Sequence, residues 1–299
     1  MATALSIGMF DGVHLGHQGI IDQGRQAVGP GGRVVVMTFE PSPVAVLAPN
    51  QVLPRLMTSE QRTRALVDAG VNEVQVLVPT KEFLQQSPGA FLDQIVAAHT
   101  PQHIVEGEDF RFGCNREGDV AFLREFGRER GFEVHVPEEI MGSLVDGTSV
   151  PARSSVIRKL LAKGRVRDAA CLLGRPWQLE GEVVRGNQRG RDLGCPTANL
   201  DIGNLMTPAA GVYAGQAHLD SGQTYIAAIS VGTNPTFQDK GTSCEVHLLS
   251  FDGDLDHYGW RLKVNLNHWV REQLVFDSVE DLAEAMARDL ERVQLLMSG

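Results

Sequence analysis

Ala4-Leu5-Ser6-Ile7-Gly8-Met9-Phe10-Asp11-Gly12-Val13-His14-Leu15-Gly16-His17-Gln18-Gly19-Ile20-Ile21 decides how the first half of this chain is read. A short apolar run leads into a glycine-rich turn, and the turn leads into a stretch that reads as helical from Gln18 onward. Strand, turn and helix therefore follow one another without a break. Such a turn sets backbone amides at a helix start, where unpaired N–H groups and partial positive charge suit a phosphate. His14 and His17 lie about one helical turn apart and can point the same way. A pair of imidazoles so placed can hydrogen-bond a polyphosphate and stabilise charge as a phosphoryl group is displaced. Taken alone, His-x-x-His also fits a metal pair, or a capped helix start with two ordinary surface histidines.

Working outward, residues 33–39, 73–78, 103–105 and 133–136 read as strands, and 59–70, 88–98 and 119–130 as helices. Strands alternating with helices at these lengths predict an α/β domain with a doubly wound parallel sheet. Ligands of such sheets bind beyond the carboxyl ends of the strands, where strand order reverses. Three unusual segments directly follow strands: 8–17, the proline loop 38–43, and Gly107-Glu108-Asp109-Phe110-Arg111-Phe112-Gly113. They are expected on one rim. In the last, Phe110 and Phe112 beside Asp109 and Arg111 suit a stacked planar ring and a held anion, or else a loop that tucks its aromatics into the core. Further on, Ser154 and Ser155 open a helix with Arg158 one turn later. This suits a triphosphate clamp, and either serine could equally be an N-cap.

The chain has 299 residues and a formal charge of −10, enough for two ordinary domains but without the basic face of a nucleic-acid or anionic-membrane binder. No repeat period is evident. The four cysteines, Cys114, Cys171, Cys195 and Cys244, form no Cys-x-x-Cys pair, so their pattern gives neither a disulfide framework nor a structural zinc site. With no signal-like N-terminus and no apolar run of spanning length, a soluble cytoplasmic protein is expected. Self-association into a homo-oligomer is left open.

The pattern changes after Leu173-Gly174-Arg175-Pro176, which places the domain boundary between 173 and 174 and gives domains 1–173 and 174–299. Short alternating runs separated by glycine and asparagine turns predict an antiparallel β-barrel or sandwich. A final helix begins at Ser278, with Leu282, Met286, Leu290 and Val293 along one face. Between the first two strands of this half lies Gly186-Asn187-Gln188-Arg189-Gly190-Arg191-Asp192-Leu193-Gly194-Cys195-Pro196-Thr197-Ala198-Asn199. Gly186, Gly190 and Gly194 with two arginines can wrap a nucleotide phosphate. Thr197 and Asn199 offer neutral oxygens that suit a hard cation such as Mg²⁺. A plain glycine-rich hairpin is the structural alternative.

Gly-x-Phe-Asp-Gly-x-His-x-Gly-His resembles the signature of the HxGH nucleotidyltransferases, and its Phe-Asp-Gly-Val-His form is most similar to the adenylyltransferase half of bacterial bifunctional riboflavin kinase/FAD synthetases. The 107–113 loop resembles that family's flavin- and nucleotide-binding loop. The segment 186–199 resembles its riboflavin kinase signature, and Asn234-Pro235-Thr236-Phe237, Glu245, Tyr258-Gly259, Arg271 and Phe276 come next in the family's order. The resemblance implies a bifunctional enzyme that uses ATP to convert riboflavin to FMN and FMN to FAD. It implies His14 and His17 as catalytic groups of adenylyl transfer and Glu245 as the kinase base. Gly8, Phe10, Asp11, Gly16, Asp109, Phe110, Arg111, Ser154, Ser155, Arg158, Gly186, Gly190, Gly194, Pro196 and Arg271 would hold nucleotide and flavin, and Thr197 and Asn199 would hold Mg²⁺. Two departures stand out: Ser42 replaces a family histidine in the proline loop, and Arg153 replaces a family serine before Ser154. They motivate one alternative, a riboflavin kinase with a weakened or inactive adenylyltransferase domain; a non-catalytic flavin-binding protein is a second alternative, of another class.

Overall fold

The structure is a computed structural model that describes residues 1–51, 53–186, 195–232, 243–253 and 258–298. By contacts, the chain divides into two compact units, Met1–Leu53 with Ser59–Gly142, and Pro54–Thr58 with Ser143–Gly299.

In the first unit, β1 (Thr3–Ile7), α1 (Leu15–Val28), β2 (Arg33–Phe39), α2 (Pro43–Leu47), α3 (Ser59–Asp68), β3 (Glu73–Leu77), α4 (Lys81–Leu84), α5 (Pro88–His99), β4 (His103–Val105), α6 (Val120–Arg130) and β5 (Glu133–His135) succeed one another in sequence. The five strands form one parallel sheet in the order β3-β2-β1-β4-β5. Position in the sheet explains composition. Every residue of central β1 is buried, as is β2 beyond Arg33, whereas the edge strands β3 and β5 are only partly covered. Caps delimit the helices. Asp119 accepts the Phe122 amide at 2.9 Å to start α6, and left-handed Gly131 ends it. Strand order reverses at β1, whose neighbours β2 and β4 lead to opposite edges. The loops after β1, β2 and β4 therefore share the carboxyl rim, as the alternating pattern predicts.

Next along the chain, β6 (Met141–Ser143) and β7 (Ser149–Pro151) form a short hairpin, and the second unit goes on with α7 (Ser154–Leu161) and α8 (Val166–Leu173). The boundary expected from the change of pattern in the sequence is 173/174; by contacts, α7 and α8 group with the C-terminal strands. Next come β8 (Trp177–Val184), β9 (Ala198–Asp201), β10 (Gly211–Leu219), β11 (Thr224–Gly232), β12 (Ser243–Leu248), β13 (Arg261–Glu272) and α9 (Val279–Met297). The strands close into an antiparallel barrel in the order β10-β11-β12-β9-β8-β13. Leu179, Val183, Ala198, Ile229, Val246, Leu248, Leu262 and Val264 are among its buried core, and Trp177 donates from Nε1 to the Leu56 carbonyl at 2.9 Å. Ser278 caps α9 by accepting the Asp281 amide at 3.0 Å.

Candidate active sites

The loop after β1 holds an unusual backbone. Phe10, Gly12 and Val13 have φ of 48°, 94° and 40°. Glycine adopts such angles freely, but a β-branched valine does so only when its surroundings hold it there. Val13 is held by burial, and its amide donates to the Phe10 carbonyl at 3.1 Å. The turn delivers His14 to the N-cap of α1, where its Nδ1 accepts the His17 amide at a long 3.4 Å. With Nδ1 accepting, a neutral ring carries its proton on Nε2. The His14 and His17 rings stack at 3.7 Å between centroids, and Phe10 lies 4.9 Å from His17. Asp11 and His14 are both buried. The expected common orientation of the two imidazoles is thus found.

Two residues that the sequence does not single out organise this rim. Arg62 of α3 is buried, and it donates to the Met9 carbonyl at 3.2 Å, the Phe39 carbonyl at 3.0 Å and Glu40 Oε2 at 3.2 Å. Thr38 Oγ1 also donates to the Met9 carbonyl, at 3.2 Å. One guanidinium therefore ties the loop after β1 to the loop after β2, a use of its planar fork that lysine cannot copy. Glu106, immediately beyond β4, accepts the Ile7 amide at 2.6 Å. The β1–β4 ladder pairs Ala4 with His103 and Leu5 with Ile104, so this carboxyl satisfies an amide where the two strands part. Burial pushes the Glu106 carboxyl well above the usual carboxylate range, only partly opposed by the Ile7 and Ser6 hydrogen bonds.

In the loop after β4, Phe112 belongs to the buried core and Phe110 stacks on it at 5.1 Å while staying partly exposed. The two readings of this loop thus divide between its aromatics. Arg111 donates to the Phe110 carbonyl at 2.7 Å, and Asp109 is exposed. Gly113 has φ of 73°, and a Cβ there would come within 2.8 Å of the Pro88 nitrogen, so the loop can rest on the start of α5 only with glycine at this position. Ser42 caps α2 by accepting the Ala45 amide at 3.2 Å. The N-cap of α7 is Arg153, with Ser154 and Ser155 inside the first turn, so neither serine fills the capping role. Arg158 donates to the Pro54 carbonyl at 3.0 Å.

The second cluster forms on the barrel. Alternation along β12 buries Cys244, Val246 and Leu248 in the barrel and turns Ser243, Glu245 and His247 outward. The barrel interior is therefore packed, and Glu245 stands on the outer face. Registry pairs Glu245 with Asn199 of β9, and Thr197 Oγ1 donates to Glu245 Oε2 at 3.3 Å. His247 meets the Pro196 carbonyl at 2.8 Å. Gly186 lies against Asn199, where a Cβ would fall 2.0 Å from Nδ2. Burial and the neighbouring Glu245 charge push the Cys244 thiol up to about 12. Arg271 lies elsewhere on the barrel and engages Asp289 of α9 with two short contacts of 2.9 and 2.7 Å while its guanidinium lies 5.7 Å over Phe276. Gly190, Gly194 and Asn234-Pro235-Thr236-Phe237 lie outside the described residues.

The hydroxyl of Thr197, the amide oxygen of Asn199 and the carboxylate of Glu245 are hard oxygen donors, the ligand type that Mg²⁺ accepts. The residues present therefore fit that ion.

Residues 1–147 match the FAD synthetase family model and residues 173–297 match the riboflavin kinase model. The chain is 33% identical to the bifunctional riboflavin kinase/FMN adenylyltransferase of Listeria monocytogenes, over 95% of this chain and 89% of the relative. It is 34% identical to that of Escherichia coli K12, over 95% and 90%, and 36% identical to that of Pseudomonas fluorescens, over 97% and 92%. A crystal structure described as a macrolide-efflux protein from Streptococcus pneumoniae superposes with a TM-score of 0.85 at 31% identity, covering 98% of this chain and 94% of that one. Efflux is a statement about that protein. Among the described residues here, no helix is long and apolar enough to cross a membrane.

Proposed function

The chain belongs to the family of bifunctional riboflavin kinase/FMN adenylyltransferases, and from that premise we propose which residues carry each reaction. The enzyme phosphorylates riboflavin with ATP to give FMN, and adenylylates FMN to FAD with release of pyrophosphate.

In the kinase reaction, Glu245 accepts the proton of the ribityl 5′-hydroxyl as that oxygen attacks the γ-phosphate of ATP. Thr197 and Asn199 would hold Mg²⁺, which when bound neutralises charge on the phosphate oxygens. The Thr197 hydroxyl donates to Glu245, which orients the carboxylate and would leave the hydroxyl oxygen's lone pairs available to a cation. Gly186, Gly190, Gly194 and Pro196 are assigned to the ATP phosphates. Arg271 is assigned to substrate, through a guanidinium that it already shares with Asp289.

In adenylyl transfer, the FMN phosphate attacks the α-phosphate of ATP directly. Positioning and charge stabilisation suffice, so no covalent enzyme intermediate is needed. His14 and His17 donate to the oxygens of the crowded phosphorus centre from the start of α1, whose amides add partial positive charge. Gly8, Phe10, Asp11 and Gly16 set the loop that receives the nucleotide. Asp109, Phe110 and Arg111 contact flavin and nucleotide. Ser154, Ser155 and Arg158 bind phosphate, a role supported by an α7 start that has no side-chain cap. The functional boundary is kept at 173/174, close to where the riboflavin kinase match begins. A cytoplasmic location accords with four free cysteines.

The observation that carries this division is the approach of Thr197 Oγ1 to Glu245 Oε2 at 3.3 Å beside Asn199, together with a separate imidazole stack at 3.7 Å. Product formation by His14→Ala and Glu245→Ala tests it. His14→Ala is expected to lower conversion of FMN to FAD by about 10²–10³-fold and to spare FMN formation. Glu245→Ala is expected to lower FMN formation by about 10²–10⁴-fold and to spare FAD formation from FMN. If either variant lost both reactions while folded, or neither, the assignment would fail.

A further inference from the structure

At the edge of the parallel sheet, the β4–β5 ladder carries three side chains that neither reaction uses. Registry pairs His103 with Glu133 and Val105 with His135. Alternate strand positions share a face, so His103, Glu133 and His135 lie on one side of this ladder. His103 Nδ1 and His135 Nε2 are 3.0 Å apart, and Glu133 Oε2 is 3.6 Å from each of them. Among the described residues, this is the group of three histidine, cysteine or acidic side chains whose ligand atoms come close enough to share an ion.

A tetrahedral ion with bonds of roughly 2.0–2.1 Å to imidazole nitrogen and carboxylate oxygen separates its ligand atoms by about 3.3–3.4 Å. The three separations bracket that figure, so shifts of a few tenths of an ångström would complete one face of a tetrahedron. A simple histidine–histidine hydrogen bond accounts for the 3.0 Å contact alone. It does not account for a carboxylate oxygen set equally far from both nitrogens.

We propose that His103, Glu133 and His135 form a binding site for a borderline divalent transition metal, represented by Zn²⁺. Two imidazoles and one carboxylate are the ligand types such ions favour, whereas Mg²⁺ prefers oxygen alone. The site is therefore chemically distinct from the one assigned to Thr197 and Asn199. The Glu133 side chain is 74% exposed, so the outer position is open to water or to an exogenous ligand. Occupancy would pin β5 to β4 through side chains as well as through the ladder.

The test uses the full chain, freed of metal with a chelator that is then removed, and titrated with Zn²⁺ in millimolar Mg²⁺. Calorimetry is expected to give a Zn²⁺ equivalent that Mg²⁺ does not displace and that Glu133→Gln weakens by about tenfold or more. His103→Gln with His135→Gln should abolish it. Co²⁺ in place of Zn²⁺ should give the intense visible absorption of a tetrahedral site, absent from the double variant. Glu133 is exposed, so its variant stays informative if the double variant is misfolded. The signature histidines are a competing location, and a His14→Ala, His17→Ala protein must keep the Zn²⁺ equivalent. Retention of that equivalent in Glu133→Gln and in the double variant, its loss from the signature variant, or no Zn²⁺ binding would each overturn the proposal.

Discussion

Replacing Arg62 by methionine isolates the part that loop positioning plays in adenylyl transfer. Methionine fills much of the same volume but offers no donors. Hydrogen bonds to a charged group contribute about 1.5–3 kcal/mol each, so the bonds to the Met9 and Phe39 carbonyls together hold roughly 3–6 kcal/mol of local order. The Met9 carbonyl keeps its bond from Thr38, which reduces the expected net loss to about 2–4 kcal/mol. The Glu40 pair is partly exposed and adds little. If about 2 kcal/mol of this appears as misplacement of the loop that carries His14, transfer slows by about 30-fold, since 1.36 kcal/mol is a factor of ten. The assay compares kcat/KM for FMN to FAD with that for riboflavin to FMN in one preparation, so the kinase reaction serves as an internal control. Arg62→Lys should fall between the two, because an ammonium cannot span both carbonyls. A folded Arg62→Met protein that makes FAD within about twofold of the parent rate would refute the reasoning. An equal fall in both reactions would refute it as well.

Two further outcomes are expected of the same rim. Glu106 has a folded-state pKa raised by burial, so its contribution to stability is full below the ordinary glutamate value and declines as pH rises through the folded value. Glu106→Gln keeps an acceptor for the Ile7 amide and removes the titration; urea unfolding across pH should therefore show the parent losing stability relative to the variant as pH rises, and the opposite slope would contradict this account. Gly113→Ala places a methyl group against the Pro88 backbone at positive φ. It should weaken FMN binding in the adenylyltransferase assay, raising KM with little change in riboflavin phosphorylation, and unchanged KM would show that the loop does not depend on this seat.

The first half of the fold is legible because each of its signals is local. The run 33–39 has no competing period, and the strand before Gly8 is short, apolar and followed at once by a turn. Arg62 escapes such reading because arginine at one position of a helix looks like an ordinary solvated charge, and only packing reveals the carbonyls around it. Glu106 looks like the first residue of a polar loop, although it fills the gap between two parting strands. Short α2 and α4 lack the length for a periodic signal, and α8 comes so closely after α7 that Gly174 draws attention first. In the barrel, Asn265 and Asn267 resemble turn residues, yet β13 runs through both of them from Arg261 to Glu272. Glu245 and Asn199 are 46 residues apart in numbering, yet their pairing across β12 and β9 could be known only from the closed topology. Arg271 has the composition of a ligand contact, but its partner Asp289 is set by how α9 lies on the barrel.

The thiol of Cys244 sits directly beside the residue assigned as kinase base, yet it faces the opposite side of the strand, enclosed and held in its protonated form. Alkylating agents attack thiolate, so this sulfur can react only after the strands around it separate. The rate at which Cys244 becomes modified is thus an intrinsic chronometer of barrel breathing, carried next to the chemistry without touching it.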